Sequence, residues 1–343
     1  MKDIKPKVIC AVTYLSDGKF WLKNEFERLG YDVKLLSTKY DNKKAAITYR
    51  NMIKSNLTSV YLGVKVYREY ENEDIVLFWT YFAGIIFSIL DLLKRKTKDS
   101  TRIVALHMLV INANVLKKTF IRFFSYISNL NNRLIISVNS EKEKISFSSA
   151  YFIDLEKMIV LPDCVKTMDF HEYKKGDGRV FCGGDNSRDW STFFDAARIL
   201  PNVKFVGIIR KRNFDFSQVI PINCELHFDT DEVFFYKTLY SSTIVALPLN
   251  SDLASGLIVL GQCAAYCKPV IITKTSCSIN YVNDMETGIL LKKMGDPNEL
   301  AYAIDTLIKD EVMQYKLSTS FSDYMRVNHS HSHYVAEIIS RLK

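Results

Sequence analysis

The sequence predicts an α/β protein of two domains, each a parallel sheet with helices on both faces. Three observations carry this reading. The chain has 343 residues, and at about 150 residues per domain that length suits two domains. Its strand candidates are short apolar runs without alternation, the mark of strands buried on both faces. These runs alternate with helical stretches, and the alternation halts near residue 161 and restarts near residue 179.

In the first half, Val8–Thr13 reads as a strand and Ser16-Asp17-Gly18 as a turn. A helix is expected over Phe20–Leu29, stopped by Gly30, with a strand over Tyr31–Leu36. The apolar run from Ile75 to Leu93 is about the minimum length for a membrane span. Its uncharged stretch ends at Asp91, and Thr80 and Gly84 interrupt it. It therefore reads as a buried strand (Ile75–Trp79), a turn and a buried helix. Further strands are expected at Arg102–Leu106 and Arg133–Val138. A linker rich in Lys, Asp, Glu and Gly runs from Leu161 to about Gly178.

In the second half, strands are expected at Arg179–Cys182, Val203–Ile208, Thr243–Pro248 and Pro269–Thr273. Helices are expected at Asp189–Leu200, 232–241, 256–266 and 296–309. The domains then run over residues 1–165 and 166–320, and 321–343 is expected to form a C-terminal helix packing back toward the first domain. A cleft between two such domains is a common ligand site, at the carboxyl ends of the strands.

Composition excludes several classes. Hydrophobic residues make up 48% and charged residues 24%, as in ordinary globular proteins. The net charge of +8 is confined to the first half: residues 1–165 carry 26 Lys and Arg against 17 Asp and Glu, the remainder 20 against 21. A basic half can face nucleic acid, an anionic membrane or an acidic substrate, or be a soluble surface with surplus Lys. The seven cysteines form no CxxC pair and most sit among apolar neighbours, which suits free thiols in a reducing compartment. The polar start, leading straight into a strand, reads as lacking a signal peptide.

The most informative stretch is Leu253-Ala254-Ser255-Gly256-Leu257-Ile258-Val259-Leu260-Gly261-Gln262, followed by Lys268-Pro269-Val270-Ile271. Ser255 and Gly256 open a helix whose free amides, with that of Leu257, can receive an anion such as a diphosphate. Gln262 lies two turns further along. This stretch resembles the donor-binding segment of the retaining GT-B glycosyltransferases of family four. Asn280-Tyr281-Val282, Thr287-Gly288 and the helix from Asp296 resemble the family's later segments. Phe181-Cys182-Gly183-Gly184 with Arg188-Asp189-Trp190 is similar to the family's first donor-domain strand, loop and helix. Ile136 to Glu143 looks like its last strand before the linker.

The resemblance implies a GT-B fold, two Rossmann-like domains facing an interdomain cleft, with an acceptor-binding first domain and a donor-binding second. It implies a ribose-binding role for Gln262, where the family carries glutamate; the family's earlier glutamate falls at Ala254, with Asp252 nearby. Gly183, Gly184, Arg188, Arg210, Ser255, Gly256 and Leu257 are the implied diphosphate ligands. A guanidinium suits a diphosphate because it donates two parallel hydrogen bonds. For Arg188 the alternative is a surface pair with Asp185 or Asp189. His107, ending a strand, is the implied catalytic residue beside the donor sugar; the alternative is a core histidine satisfied by backbone. Asp17 and Gly18 fall on the acceptor side.

Asp229-Thr230-Asp231 matches a metal-binding Asp-x-Asp, but Asp229 followed by Glu232 is also a helix N-cap pattern, and the cap is the preferred reading. No metal and no cofactor is expected, the nucleotide sugar being a co-substrate. His329, His331 and His333 alternate where a helix begins, a spacing that turns them apart. Val115 to Ile127 mixes Lys117, Lys118 and Arg122 with Phe120, Phe123, Phe124 and Tyr126 at helical spacing, either a membrane-docking face or a core-facing stripe with a solvated basic side.

The function expected is therefore glycosyl transfer from a nucleotide sugar to a saccharide or lipid-linked acceptor in capsule, lipopolysaccharide or exopolysaccharide synthesis. The enzyme is expected to be cytoplasmic, metal-independent, without nucleic acid, and able to lie on the inner face of an anionic membrane. The rival readings are a degenerate, non-catalytic sugar-nucleotide-binding homologue and a nucleotide-sugar epimerase.

Overall fold

The computed structural model describes residues 5–13, 15, 20–38, 49–108, 110, 115–164 and 169–342. Ser16-Asp17-Gly18, expected as a turn, and linker residues 165–168 lie outside them. The chain divides into two compact units, Met1–Pro162 with Tyr334–Lys343, and Asp163–His333.

The first unit holds strands β1 (Lys7–Val12), β2 (Asp32–Ser37), β3 (Ile75–Phe78), β4 (Arg102–Ala105), β5 (Leu134–Val138) and β6 (Met158–Val160). All pair in parallel, in the order β2-β1-β3-β4-β5-β6. Parallel neighbours need crossovers, supplied by helices α1 (Trp21–Arg28), α2 (Tyr49–Glu69), α3 (Tyr81–Lys94), α4 (Val115–Ser128) and α5 (Glu141–Tyr151). The central strands are buried on both faces, which is why Ile-Val-Leu-Phe at β3 shows no alternation.

Two expectations change here. Gly84 does not break the apolar run: α3 starts at Tyr81 and passes through Gly84. A Cβ there would lie 2.7 Å from that of Ala105, so the glycine lets the helix press onto β4. Among the described residues no helix is long and apolar enough to cross a membrane. The segment Ile136–Glu143 is also not the last strand of its sheet, since β6 follows. Its second part starts α5 with a capping box, in which Ser140 accepts from the Glu143 amide and the Glu143 carboxylate accepts from the Asn139 amide.

The second unit holds β7 (Arg179–Gly183), β8 (Lys204–Ile209), β9 (Cys224–Phe228), β10 (Ile244–Leu247), β11 (Val270–Thr273) and β12 (Ile289–Leu291). These too are parallel, in the order β12-β11-β10-β7-β8-β9. Its helices are α6 (Trp190–Ile199), α7 (Glu232–Ser241), α8 (Leu257–Ala265), α9 (Pro297–Lys309) and α10 (Glu311–Asn328). Leu317, Phe321 and Met325 of α10 are buried in this unit's core, which ties α10 to it. The last helix, α11 (His331–Leu342), joins the first unit from Tyr334 onward.

Aspartates start the helices of this unit. Asp189, Asp231, Asp296 and Asp310 each accept a backbone amide of the first turn of α6, α7, α9 and α10. The cap of α7 is thus Asp231, two residues later than the expected Asp229. Asp229 has φ +52° and accepts from the Lys211 amide at 3.2 Å instead. That left-handed turn delays the helix by half a turn.

Candidate functional site at the switch point of the second sheet

In the second sheet the chain leaves β7 outward through β8 and β9, then returns to β10 on the other side of β7. The carboxyl ends of β7 and β10 are therefore the topological switch point, where open α/β sheets leave a crevice. Two segments meet there. Asp189 N–H donates to Pro248 O and Asn250 N–H to Ser187 O, both at 3.0 Å. These bonds frame an antiparallel bridge between Arg188 and Leu249.

Arg188 is the centre of the site. Its side chain is drawn inward, leaving the residue 6% exposed, and its Nε donates to Gly183 O at 2.7 Å. The guanidinium lies between two glycines with left-handed backbones, Gly184 (φ +107°) and Gly256 (φ +83°). A Cβ on Gly184 would come within 3.1 Å of Arg188 Nη2, and one on Gly256 within 3.3 Å of Nη1. Both positions thus need glycine for conformation and for space.

Among the described residues Arg188 has no ion-pair partner in contact, and Asp185 acts on its charge only from a distance. Among those residues its buried Nη1 meets no hydrogen-bond acceptor. Asp185 pairs with Arg210, whose Nε lies 2.8 Å from Asp185 Oδ2. Asp189 is spent on the amide and hydroxyl of Thr192. The surface-pair alternative for Arg188 therefore does not occur. Burial pushes its guanidinium below the ordinary value, yet an arginine stays charged at neutral pH. The thiols nearby do not neutralise it, because burial drives Cys182 up to about 12 and Cys263 upward as well.

Helix α8 begins at the same place. Gly256 is its N-cap and no side chain caps it, so the first amides and the positive end of the helix dipole stay available to an anion. Ser255 is buried beside this turn and Leu257 is the first helical residue. Gln262, on the second turn, is 4% exposed and lies near Tyr236, while its Oε1 meets no hydrogen-bond partner. Asp252 accepts from the Ser276 amide at 2.6 Å and so staples the loop before α8.

The structure thus brings together Gly183, Gly184, Arg188 and Gly256, with Ser255 and Leu257 adjoining. Arg210 is half-exposed and engaged by Asp185. Sequence reading missed Tyr236, because a contact between α7 and α8 leaves no mark in local pattern.

His107 belongs to the first unit. It follows β4 with φ +55°, fixed by its N–H donating to Ser137 Oγ at 2.9 Å. Its Nε2 lies 3.1 Å from the Tyr334 hydroxyl and its ring 4.3 Å from that of Trp79. Asp17 and Gly18 lie outside the described residues.

A groove of about 1190 Å³ lies elsewhere in the first unit, along α4. Arg122, Phe123, Tyr126, Phe152 and Leu155 line it, and it shares no residue with the Arg188 site.

Two six-stranded parallel sheets of this kind, matched over nearly the whole chain, define the GT-B fold of glycosyltransferases. Among solved structures, the chain is similar to HepE of Anabaena in complex with UDP, at a TM-score of 0.66 and 13% identity, covering 97% of this chain and 99% of that one. It is similar to a glycosyltransferase of Rickettsia africae at 0.66 and 14%, covering 99% and 98%. It also matches the sucrose-phosphate synthase of Thermosynechococcus elongatus at 0.67 and 10%, covering 98% of each. No family model and no curated protein sequence matches the chain.

Proposed function

We propose that this chain is a glycosyltransferase that takes a sugar from a nucleoside-diphosphate sugar, of the uridine class, and passes it to a saccharide or lipid-linked saccharide of the bacterial envelope. One observation carries the reading: a buried guanidinium with no ion-pair partner and an unsatisfied Nη1, set between Gly184 and Gly256 at the switch point beside the uncapped start of α8. Burying an unpaired charge costs several kcal/mol. A bound diphosphate offsets that cost and accepts from Nη1 and the α8 amides. The same donors stabilise the negative charge that develops on the departing nucleoside diphosphate as its bond to the anomeric carbon breaks. The uridine class is supported by HepE, a fold relative crystallised with UDP and with UDP-glucose.

In this proposal the second unit, about residues 166–320, binds the donor and Gln262 accepts from a ribose hydroxyl. Residues 1–165 bind the acceptor, and His107 is the catalytic residue that touches the transferred sugar. Transfer proceeds with retention and without a metal, since Asp231 is engaged as a helix cap and Asp229 accepts from the Lys211 amide. Calorimetry with UDP, followed by UDP-sugar turnover with and without EDTA, tests the whole. UDP that releases no binding heat sinks the reading, and activity lost to EDTA and restored by Mn²⁺ removes the metal-free part.

A specific observation favours a second reading. Neither position that carries glutamate in family four does so here, Ala254 and Gln262 standing instead. A non-catalytic nucleotide-sugar binder would bind UDP but turn over no donor.

The outer face of α4 supports a peripheral membrane site for the first unit. Phe123 is 59% exposed and Tyr126 64%, and Val115, Phe120 and Lys118 of the same helix are exposed too. Such an apolar stripe is out of place on a water-facing helix.

A further inference from the structure

We propose that Tyr334, carried by the C-terminal helix α11, is the positioning residue for His107, fixing the orientation and tautomer of its ring. The inference rests on the reading of His107 as the residue that meets the transferred sugar, and extends it to a side chain 227 residues away in the chain.

The His107 ring is held from three directions. Its backbone sits in the left-handed region at φ +55°, uncommon for a residue with a Cβ, and the Ser137 hydroxyl holds the amide there. Trp79 closes one side, its ring 4.3 Å away at 62°. Tyr334 supplies the third constraint, with its hydroxyl 3.1 Å from Nε2 and its ring nearly parallel to the imidazole at 10°.

Tyr334 is itself immobilised. It is 2% exposed, and Trp21 packs edge-on against it at 5.8 Å and against Trp79 at 5.7 Å. The hydroxyl therefore acts from a fixed point. A neutral imidazole has one nitrogen that donates and one that accepts. The bond to Nε2, whichever way its proton lies, selects one tautomer and leaves the opposite nitrogen with the complementary role. It also prevents the half-turn about Cβ–Cγ that would exchange ring edges. A group that meets substrate gains from such preorganisation, since it need not be ordered during the reaction.

Packing alone would be served as well by phenylalanine, and this makes the test clean. Tyr334→Phe keeps the ring against Trp21 and removes only the hydroxyl. Turnover of a UDP-sugar, UDP affinity by calorimetry and the ¹⁵N spectrum of the His107 imidazole are measured on the wild type, Tyr334→Phe, His107→Ala and the double variant. We expect Tyr334→Phe to lower kcat about tenfold with donor KM and UDP affinity unchanged, to alter the tautomer ratio, and to cause no further loss once His107 is alanine. A kcat within twofold of wild type overturns the proposal, as does an equal loss in both backgrounds. Absence of wild-type turnover defeats the transfer reading instead. The imidazole spectrum then decides the positioning claim, and a tautomer ratio indifferent to Tyr334→Phe ends it.

Discussion

The two units bury an arginine in opposite ways. In the first, Arg133 reaches from the start of β5 to Asp91, a fully buried carboxylate on α3, through its Nη2. Its Nη1 donates to Thr97 Oγ1 and Lys98 O, both at 2.6 Å. Asp91 also accepts from the Thr97 amide at 2.9 Å and from Asn131 at 3.3 Å, so the pair is saturated. In the second, Arg188 is more deeply buried, has one bond to a carbonyl, and faces two glycines and a helix start. A cation buried for the fold is surrounded by acceptors the fold supplies. A cation buried without them weakens the fold and is suited to an acceptor that arrives from solution.

The largest effect that follows is on stability in the first unit. Asp91→Ala strands the Arg133 charge and the Thr97 amide, and should cost about 3–5 kcal/mol of unfolding free energy. Urea unfolding of the purified protein measures it, and a cost under about 1 kcal/mol would mean the Arg133 network is solvent-relaxed. The complementary variant, Arg188→Met, should leave unfolding free energy equal to or above that of the wild type. UDP affinity should fall by about 1.5–3 kcal/mol, the scale of hydrogen bonds to a charged group. If Arg188→Met unfolds the protein instead, the contrast between the two arginines collapses and Arg188 is structural.

This contrast explains what the sequence disclosed. The alternation of apolar runs and helices, and the restart at Arg179, expose both sheets, because strands buried on two faces carry their own composition. Short edge strands such as β6 and β12, each three residues, carry too little pattern to be read. The site was legible where glycine and a helix start stand together, at Gly183-Gly184 and Ser255-Gly256. Whether a basic residue nearby turns inward was not. Arg188 and Arg210 look alike in sequence, and only the position of Asp185, taken by Arg210, separates them.

The surface charge of the first unit gives a smaller test. If α4 lies on an anionic bilayer, each lysine near the surface contributes about 1 kcal/mol. Lys117→Ala with Lys118→Ala should then weaken binding to anionic vesicles by about 2 kcal/mol, and high salt should do likewise. Arg122 is a poor choice for this test. Its Nε donates to Ala150 O at 2.7 Å and its guanidinium covers Phe152, so its loss would perturb the groove itself. Vesicle co-sedimentation reads the result, and unchanged binding by the double variant returns α4 to an ordinary solvent face.

The smallest effect concerns another buried polar atom that the second unit leaves unanswered, Gln262 Oε1. A side-chain amide has an acceptor oxygen and two donor hydrogens. Here the oxygen is buried on the helix whose first amides adjoin Arg188. If that oxygen accepts from a ribose hydroxyl, Gln262→Ala should weaken UDP binding by about 1 kcal/mol, one neutral hydrogen bond. Gln262→Glu should hold or improve affinity, because a carboxylate accepts more strongly. Phosphate contacts are common to UDP and pyrophosphate, whereas the ribose belongs to UDP alone. The loss should therefore appear with UDP and vanish with pyrophosphate, while Arg188→Met should weaken both. Calorimetry with the two ligands on the two variants gives four numbers. Equal weakening of pyrophosphate by Gln262→Ala would mean the residue shapes α8 instead of touching ribose, and the unanswered oxygen would then be a packing cost of that helix.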